Sequence, residues 1–201
     1  MWEQLKRIIK PNGAIVMTAA QPFTSALVCS NLRWFKYDWT WRKPKGTGHL
    51  NAKKQPMRDK EDIVVFYAKQ PTYNPQMTVG DPYKQKSGKS AYLGYGKDNR
   101  IGNDNSGVRY PKQVLEFGVV ERGTVHPTQK PVALMEYLIK TYTNEGETVL
   151  DFTAGSFTVM QPGSVNNVFS VTEVSDKILG QIHFDCTAQL PISRVVVPRL
   201  E

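Results

Sequence analysis

Asp151 ends the apolar run Val149-Leu150 and leads through Phe152 into the small-residue turn Thr153-Ala154-Gly155-Ser156. A carboxylate at the carboxyl end of a buried strand, beside a turn that lets a ligand reach the backbone, suits a nucleoside cofactor in an α/β sheet. Glu173 follows Phe169-Ser170-Val171-Thr172 and lies 22 residues beyond Asp151. That is about the separation of a second acid, at the end of the next strand, that takes ribose hydroxyls. Taken alone, Asp151 is also read as a strand-end carboxylate that caps its turn. The segment His126-Pro127-Thr128-Gln129-Lys130-Pro131, which opens a helix shortly before the strand, turns the reading toward a cofactor.

Other chemistries find less support. His49 and His183 have no metal-ligand partners at useful spacing, so no metal is expected. His126 is read as a helix-entry packing residue, with no catalytic role. Ser87-Gly88-Lys89-Ser90 imitates a phosphate-binding loop, but Tyr83 stands where its first glycine belongs and no apolar strand feeds it. With Cys29 and Cys186 as its two cysteines, the chain is no disulfide scaffold. The apolar stretch 14–28 is interrupted by Thr18, Gln21, Pro22 and Thr24, which makes it too short and polar to span a bilayer. No basic segment followed by an apolar run opens the chain, so a cytoplasmic protein is expected.

The 201 residues, 40% of them hydrophobic, suffice for one ordinary core and argue against intrinsic disorder. Charge is distributed unevenly. Residues 33–130 hold 19 Lys and Arg against 9 Asp and Glu, whereas residues 131–201 hold 4 against 8. The basic middle also carries Trp34, Trp39, Trp41 and most of the tyrosines, a mixture suited to phosphates and bases, or simply to a solvated basic surface. The three tryptophans are expected in the core and sheet rather than as base-stacking wedges.

The elements that must position these residues are α/β in kind. Trp2, Leu5, Ile8 and Ile9 have helical spacing, Pro11-Asn12-Gly13 stops that helix, and 14–17 is a buried-strand run. A second helix is expected over 25–32 and a strand with one wet face over 34–41. A basic loop is expected over 43–60, and a β-branched and aromatic strand over 63–67. Residues 70–112 show no hydrophobic period and read as an irregular loop. Val132, Met135, Leu138, Ile139 and Tyr142 form a helical stripe, followed by a strand at 148–152 and weaker ones near 168–171 and 195–197.

In order and composition these segments resemble the bacterial and phage amino-group DNA methyltransferases. The specific likeness is to the permuted (beta-type) class, in which the S-adenosylmethionine motifs follow the target-recognition region. The hexapeptide 126–131 with its helix, and the strand-turn 149–156, carry the likeness most specifically. Residues 2–19, Gln21-Pro22-Phe23-Thr24, the stretch from Asn51-Ala52-Lys53-Lys54 to Phe66-Tyr67, and Tyr73-Asn74-Pro75-Gln76-Met77 add to it.

The resemblance implies a Rossmann-like α/β methyltransferase domain over 1–201, with 40–120 as an inserted target-recognition region that contacts DNA. It implies S-adenosylmethionine as cofactor and methyl transfer to an exocyclic base nitrogen, adenine N6 first and cytosine N4 second. Asp151, Phe152, Thr153, Gly155 and Ser156 would line the cofactor pocket, and Glu173 would hold the ribose. Thr128, Gln129 and Lys130 would sit near the methionine end, with Thr18, Gln21 and Phe23 bordering the same cleft. Double-stranded DNA is the implied partner, a restriction–modification partner is a further expectation, and no membrane is implied.

The family's catalytic motif, an Asp, Asn or Ser followed by Pro-Pro and an aromatic residue, does not occur in these 201 residues. Asp81-Pro82-Tyr83 lacks one of its prolines and sits in the basic middle, so no catalytic residue is assigned. Two expectations follow: an N-terminally truncated family member, or a non-catalytic DNA-binding remnant.

Overall fold

The computed structural model describes residues 1–85, 88–90, 98–100, 103–120, 129–152 and 167–170. By its internal contacts the chain divides into a larger unit, Met1–Asn74 with Gln113–Glu201, and a smaller one, Pro75–Lys112.

The larger unit opens with α1 (Trp2–Ile8), β1 (Ile15–Ala19) and α2 (Phe23–Ser30). A hairpin of β2 (Phe35–Thr47) and β3 (Arg58–Phe66) follows. After the smaller unit, which holds β4 (Thr78–Val79), β5 (Tyr83–Gln85), β6 (Gly88–Ser90), β7 (Asp98–Arg100), β8 (Asn103–Asn105) and β9 (Val108–Arg109), come β10 (Val114–Glu116), α3 (Val132–Tyr142), β11 (Thr148–Asp151) and β12 (Asn167–Ser170). One sheet has the order β1-β3-β2-β10, with β3 antiparallel to both neighbours and β10 parallel to β2. Strands β11 and β12 pair in parallel, with Asp151 opposite Ser170.

Strict alternation of side chains explains the two-sided core. Val16, Trp39, Trp41, Ile63, Val65 and Leu115 cluster with Leu134, Met135, Leu138, Ile139 and Tyr142 of α3. Ile15, Met17, Val64 and Phe66 cluster with Leu5 and Ile8 of α1 and Leu27 of α2. β1 and the apolar half of β3 are therefore buried on both faces, which is why they read as continuous apolar runs. Burying a side chain of the size of Leu138 or Ile63 contributes about 1.5–3 kcal/mol each.

Three sequence expectations need correction. Helix α2 starts at Phe23 and ends at Ser30, not 25–32, because Asn31 leaves helical geometry and its carbonyl accepts from Trp34 and Phe35 at 3.1 and 3.0 Å. The expected loop 43–60 is mostly hairpin. β2 runs on to Thr47, which pairs with Arg58, and only 48–57 form the tip, with a 3-10 turn at His49–Asn51. The tip and its flanks lack an apolar period because they have no buried face: residues 48–57 are all exposed.

The third correction concerns 70–112, where the smaller unit is an antiparallel ribbon rather than an irregular loop. Its strand pairs are β4 (Thr78–Val79) with β9 (Val108–Arg109), β5 (Tyr83–Gln85) with β8 (Asn103–Asn105), and β6 (Gly88–Ser90) with β7 (Asp98–Arg100). The register slips once. Residues 80–82 face only 106–107, a bulge in which Gly107 adopts φ +97° and accepts from the Gly80 amide at 2.8 Å. Arg109 straps this bulge, donating to the Asp81 carbonyl at 2.8 Å while its guanidinium lies 5.6 Å from the Tyr83 ring centre. A two-stranded ribbon needs no apolar alternation, so its sequence looked structureless. Asp81-Pro82-Tyr83, the incomplete motif, is part of this bulge.

Candidate functional site

Several buried polar residues of the larger unit stand at the carboxyl end of β1. Ala19, the last residue of β1, pairs with Asp62 of β3, which puts Glu61 just beyond that strand end. Residues 20–24 leave the same end to start α2, through a cis Gln21–Pro22 peptide. Thr24 there donates to the Asp62 carboxylate at 2.8 Å, and both are buried. Lys60 adds an ion pair to Asp62 at 3.4 Å.

Glu61 projects to the opposite face of the sheet. Its Oε2 receives Lys130 at 2.9 Å and its Oε1 receives Lys43 at 2.5 Å. Both ammonium groups also lie near the Trp41 ring, 5.0 Å away for Lys43 and 5.9 Å for Lys130. The ring itself is fixed by its indole N–H, which donates to the Phe117 carbonyl at 2.9 Å. Burial pushes the Glu61 carboxyl up, but the Lys130 charge and the hydrogen bonds from Lys43 and Lys130 outweigh it. The group is held below its ordinary 4.5 and stays ionised.

Lys130 is 6% exposed and directly precedes Pro131, the N-cap of α3. Its bond to Glu61 therefore fixes the start of α3 at the carboxyl end of β1. From there α3 runs 11 residues, about 16 Å. Residues 143–147 reverse the chain, closed by Glu147, which accepts from the Asn144 amide at 2.8 Å. β11 then returns beside the helix, with Val149 in the cluster that holds Leu134 and Tyr142. Lys130 thus stands by the β1 exit, and Asp151 is the last residue of β11; in α/β sheets, ligands bind outside the carboxyl ends of strands.

Among the expected site residues, Asp151 is 1% exposed at the end of β11, and Phe152 is buried in the α1–α2 cluster. Gln129 is half-buried beside Lys130. Thr18 is buried on β1, and Gln21 and Phe23 follow that strand. Thr128, Thr153, Gly155, Ser156 and Glu173 lie outside the described residues, as do His126 and the expected strand near 195–197. Trp39 and Trp41 are buried in the sheet core and Trp34 is half-buried against the other face, as expected.

The sequence reading missed Glu61, Asp62 and Lys43. Their one legible signal was a pair of adjacent acids, inside the most basic part of the chain, directly before an apolar strand.

Helix α3 is also gripped at its far end. Tyr142 receives the Trp39 indole N–H at 2.7 Å and shares a 2.8 Å hydrogen bond with the Tyr37 hydroxyl. Burial pushes Tyr37 up to about 12 and raises Tyr142 as well, so both hydroxyls stay protonated. The Asn74 side chain donates to the carbonyls of Thr143 and Lys140 at 2.9 and 3.3 Å. Near Lys43, an open cleft of about 560 Å³ is lined by Arg42, Met57 and Phe117, with Asp59 and Glu116 offsetting its two cations. Among the described residues no group of acids, histidines and cysteines is arranged to hold a metal, and no helix is long and apolar enough to cross a membrane.

A family model described as DNA methylase (N6_N4_Mtase) matches residues 1–163. The Type II methyltransferase M.HpaI of Haemophilus parainfluenzae is 28% identical over 169 residues, covering 78% of this chain and 48% of that protein. The chain therefore spans about half the length of this curated relative. The crystal structure of an M1.HpyAVI–SAM complex superposes with a TM-score of 0.52 at 23% identity, covering 80% of this chain and 68% of the other. The cytosine-N4-specific PvuII DNA methyltransferase gives 0.52 at 16% identity, covering 80% and 59%. These likenesses show a Rossmann-like methyltransferase fold. Since the family model spans most of its length, the chain belongs to the N6/N4 DNA methylase family.

Proposed function

We propose that this chain binds S-adenosylmethionine at the shared end of β1, β11 and α3 and serves the methylation of an exocyclic amino group in double-stranded DNA. Adenine N6 is the first target and cytosine N4 the second. The observation that carries this reading is the Lys130–Glu61 bond, which ties the hexapeptide's end to the β3 residue just beyond the carboxyl end of β1. The donor set fits the cofactor's chemistry. A buried carboxylate at Asp151 suits a cationic ammonium or a ribose hydroxyl, and the half-buried Gln129 amide can both donate and accept. When bound, the cofactor supplies an electrophilic methyl on a sulfonium.

The chain's own residues orient and enclose. Asp151, Phe152 and Gln129 would hold the cofactor, with Thr153, Gly155, Ser156, Thr128 and Glu173 completing the pocket. Thr18, Gln21 and Phe23 would border the cleft that an extruded base enters. The ribbon unit 75–112 carries seven Lys and Arg against three Asp and Glu. A two-stranded ribbon has the width to enter the major groove, and its cations would neutralise phosphates.

A second reading, a DNA-binding protein without catalysis, is favoured by the lack of a Pro-Pro-aromatic motif in the sequence. One experiment separates the two. Calorimetric titration with S-adenosylmethionine is combined with transfer of labelled methyl groups to unmethylated DNA, followed by nucleoside analysis. Cofactor binding with N6-methyladenine or N4-methylcytosine formation supports the enzyme. Salt-sensitive DNA retention without cofactor binding supports the second reading. Absence of both would overturn the proposal.

A further inference from the structure

We infer that Glu61 is a positioning residue of the cofactor site, acting through Lys130; the inference rests on the cofactor site proposed above. The segment 129–131 lies before the first helical residue of α3, and its N-cap, Pro131, makes no side-chain capping bond. The 2.9 Å bond from the Lys130 ammonium to Glu61 ties this segment to β3. Glu61 is in turn fixed by Lys43 and pairs with Trp41 of β2, so the anchor is part of the sheet.

The cost of this arrangement argues for a positional role. Lys130, Glu61 and Lys43 form a largely buried cluster with two cations and one anion around Trp41. Charged groups pay a large desolvation penalty, and an apolar residue at 130 would pack on Trp41 without it. A charged pair gives what apolar packing does not: one direction and one distance for the segment. Gln129, the neighbour of Lys130 in the chain, is thereby held in place as well. Glu61 touches no cofactor atom in this account, and Lys130 transmits its position.

A double-mutant cycle on S-adenosylmethionine affinity tests the inference, using the full chain and calorimetry, with the unaltered protein measured first. Glu61→Gln and Lys130→Met should each weaken binding about tenfold, and the double variant should be no weaker than the worse single one. Glu136→Gln, in the exposed Glu136–Lys140 pair of the same helix, should leave affinity unchanged. Should Glu61→Gln fail to fold, a compensating pair serves: Glu61→Asp weakens binding, and adding Lys130→Arg, a longer base for a shorter acid, restores it. Additive losses in the cycle, or no restoration by the pair, would overturn the inference. A fall in Tm with unchanged affinity would overturn it too, leaving a purely structural cluster. No binding by the unaltered protein would remove the proposed site itself and this inference with it.

Discussion

The side-chain amide of Asn74 donates to the carbonyl of Thr143, 2.9 Å away and 69 residues later in the chain. It also reaches the Lys140 carbonyl, and the Asn74 backbone amide donates to Thr141 at 2.8 Å. The last carbonyls of α3, which have no partners within the helix, are thus capped by the residue immediately before the ribbon. Asn74→Ala should cost about 1 kcal/mol and lower Tm by about 2–4 °C. Asn74→Asp should cost more despite its closer shape, because a carboxylate meets the carbonyls and the negative end of the helix dipole. Thermal unfolding of the two variants side by side checks the order. Equal losses would contradict the cap.

The Glu61 cluster should show in acid. Its folded value lies below the ordinary 4.5, so its stabilisation is complete above that value and is lost as pH falls through the lower folded one. Tm measured from neutral pH downward should therefore show the advantage of the native protein over Glu61→Gln shrinking only below about pH 4.5. An advantage that vanished already near pH 6 would point to a different group.

The tyrosine network should show in alkali. Unfolded tyrosines ionise near 10, whereas burial keeps Tyr37 protonated up to about 12 and raises Tyr142 in the same direction. The stabilisation is therefore present below pH 10 and is lost as pH rises toward 12. Tyr142→Phe removes the group that accepts the Trp39 N–H and should cost about 1–3 kcal/mol at neutral pH. It should also flatten the fall of Tm between pH 9 and 11, which thermal scans at about those values would reveal.

Gly107 offers a local test of the ribbon. Its φ of +97° disfavours any side chain, and a Cβ there would collide with the Gly80 carbonyl oxygen across the bulge. Gly107→Ala should loosen the Val79–Val108 and Tyr83–Asn105 pairs, with faster amide exchange there and weaker DNA binding. The main transition, set by the larger unit, should shift little. A large drop in Tm would show instead that the two units unfold together.

Much of the frame was legible along the chain. The stripe Val132, Met135, Leu138, Ile139, Tyr142 marks α3 and includes four of its six buried residues, and the runs at 14–17 and 63–67 mark strands covered on both faces. Asp151 stands at the end of β11, as its neighbours indicated. Such features are local, since burial on one or both faces writes itself into periodicity. The ribbon and the outer β2–β3 hairpin escaped notice for the converse reason. They are held by backbone ladders with little buried surface, and backbone bonds leave no mark on side-chain pattern.

From the sequence alone came the α/β class, the helix-strand succession around Asp151 and the family to which the motifs point. Tertiary structure decided which charges meet: Glu61 with Lys130 and Lys43, Thr24 with Asp62, Trp39 and Tyr37 with Tyr142. These partners come from separate elements, and nothing in a linear pattern states which way a distant segment folds back. The pairing is selected because a charge or hydroxyl removed from water must find a partner where packing of the apolar faces has put it.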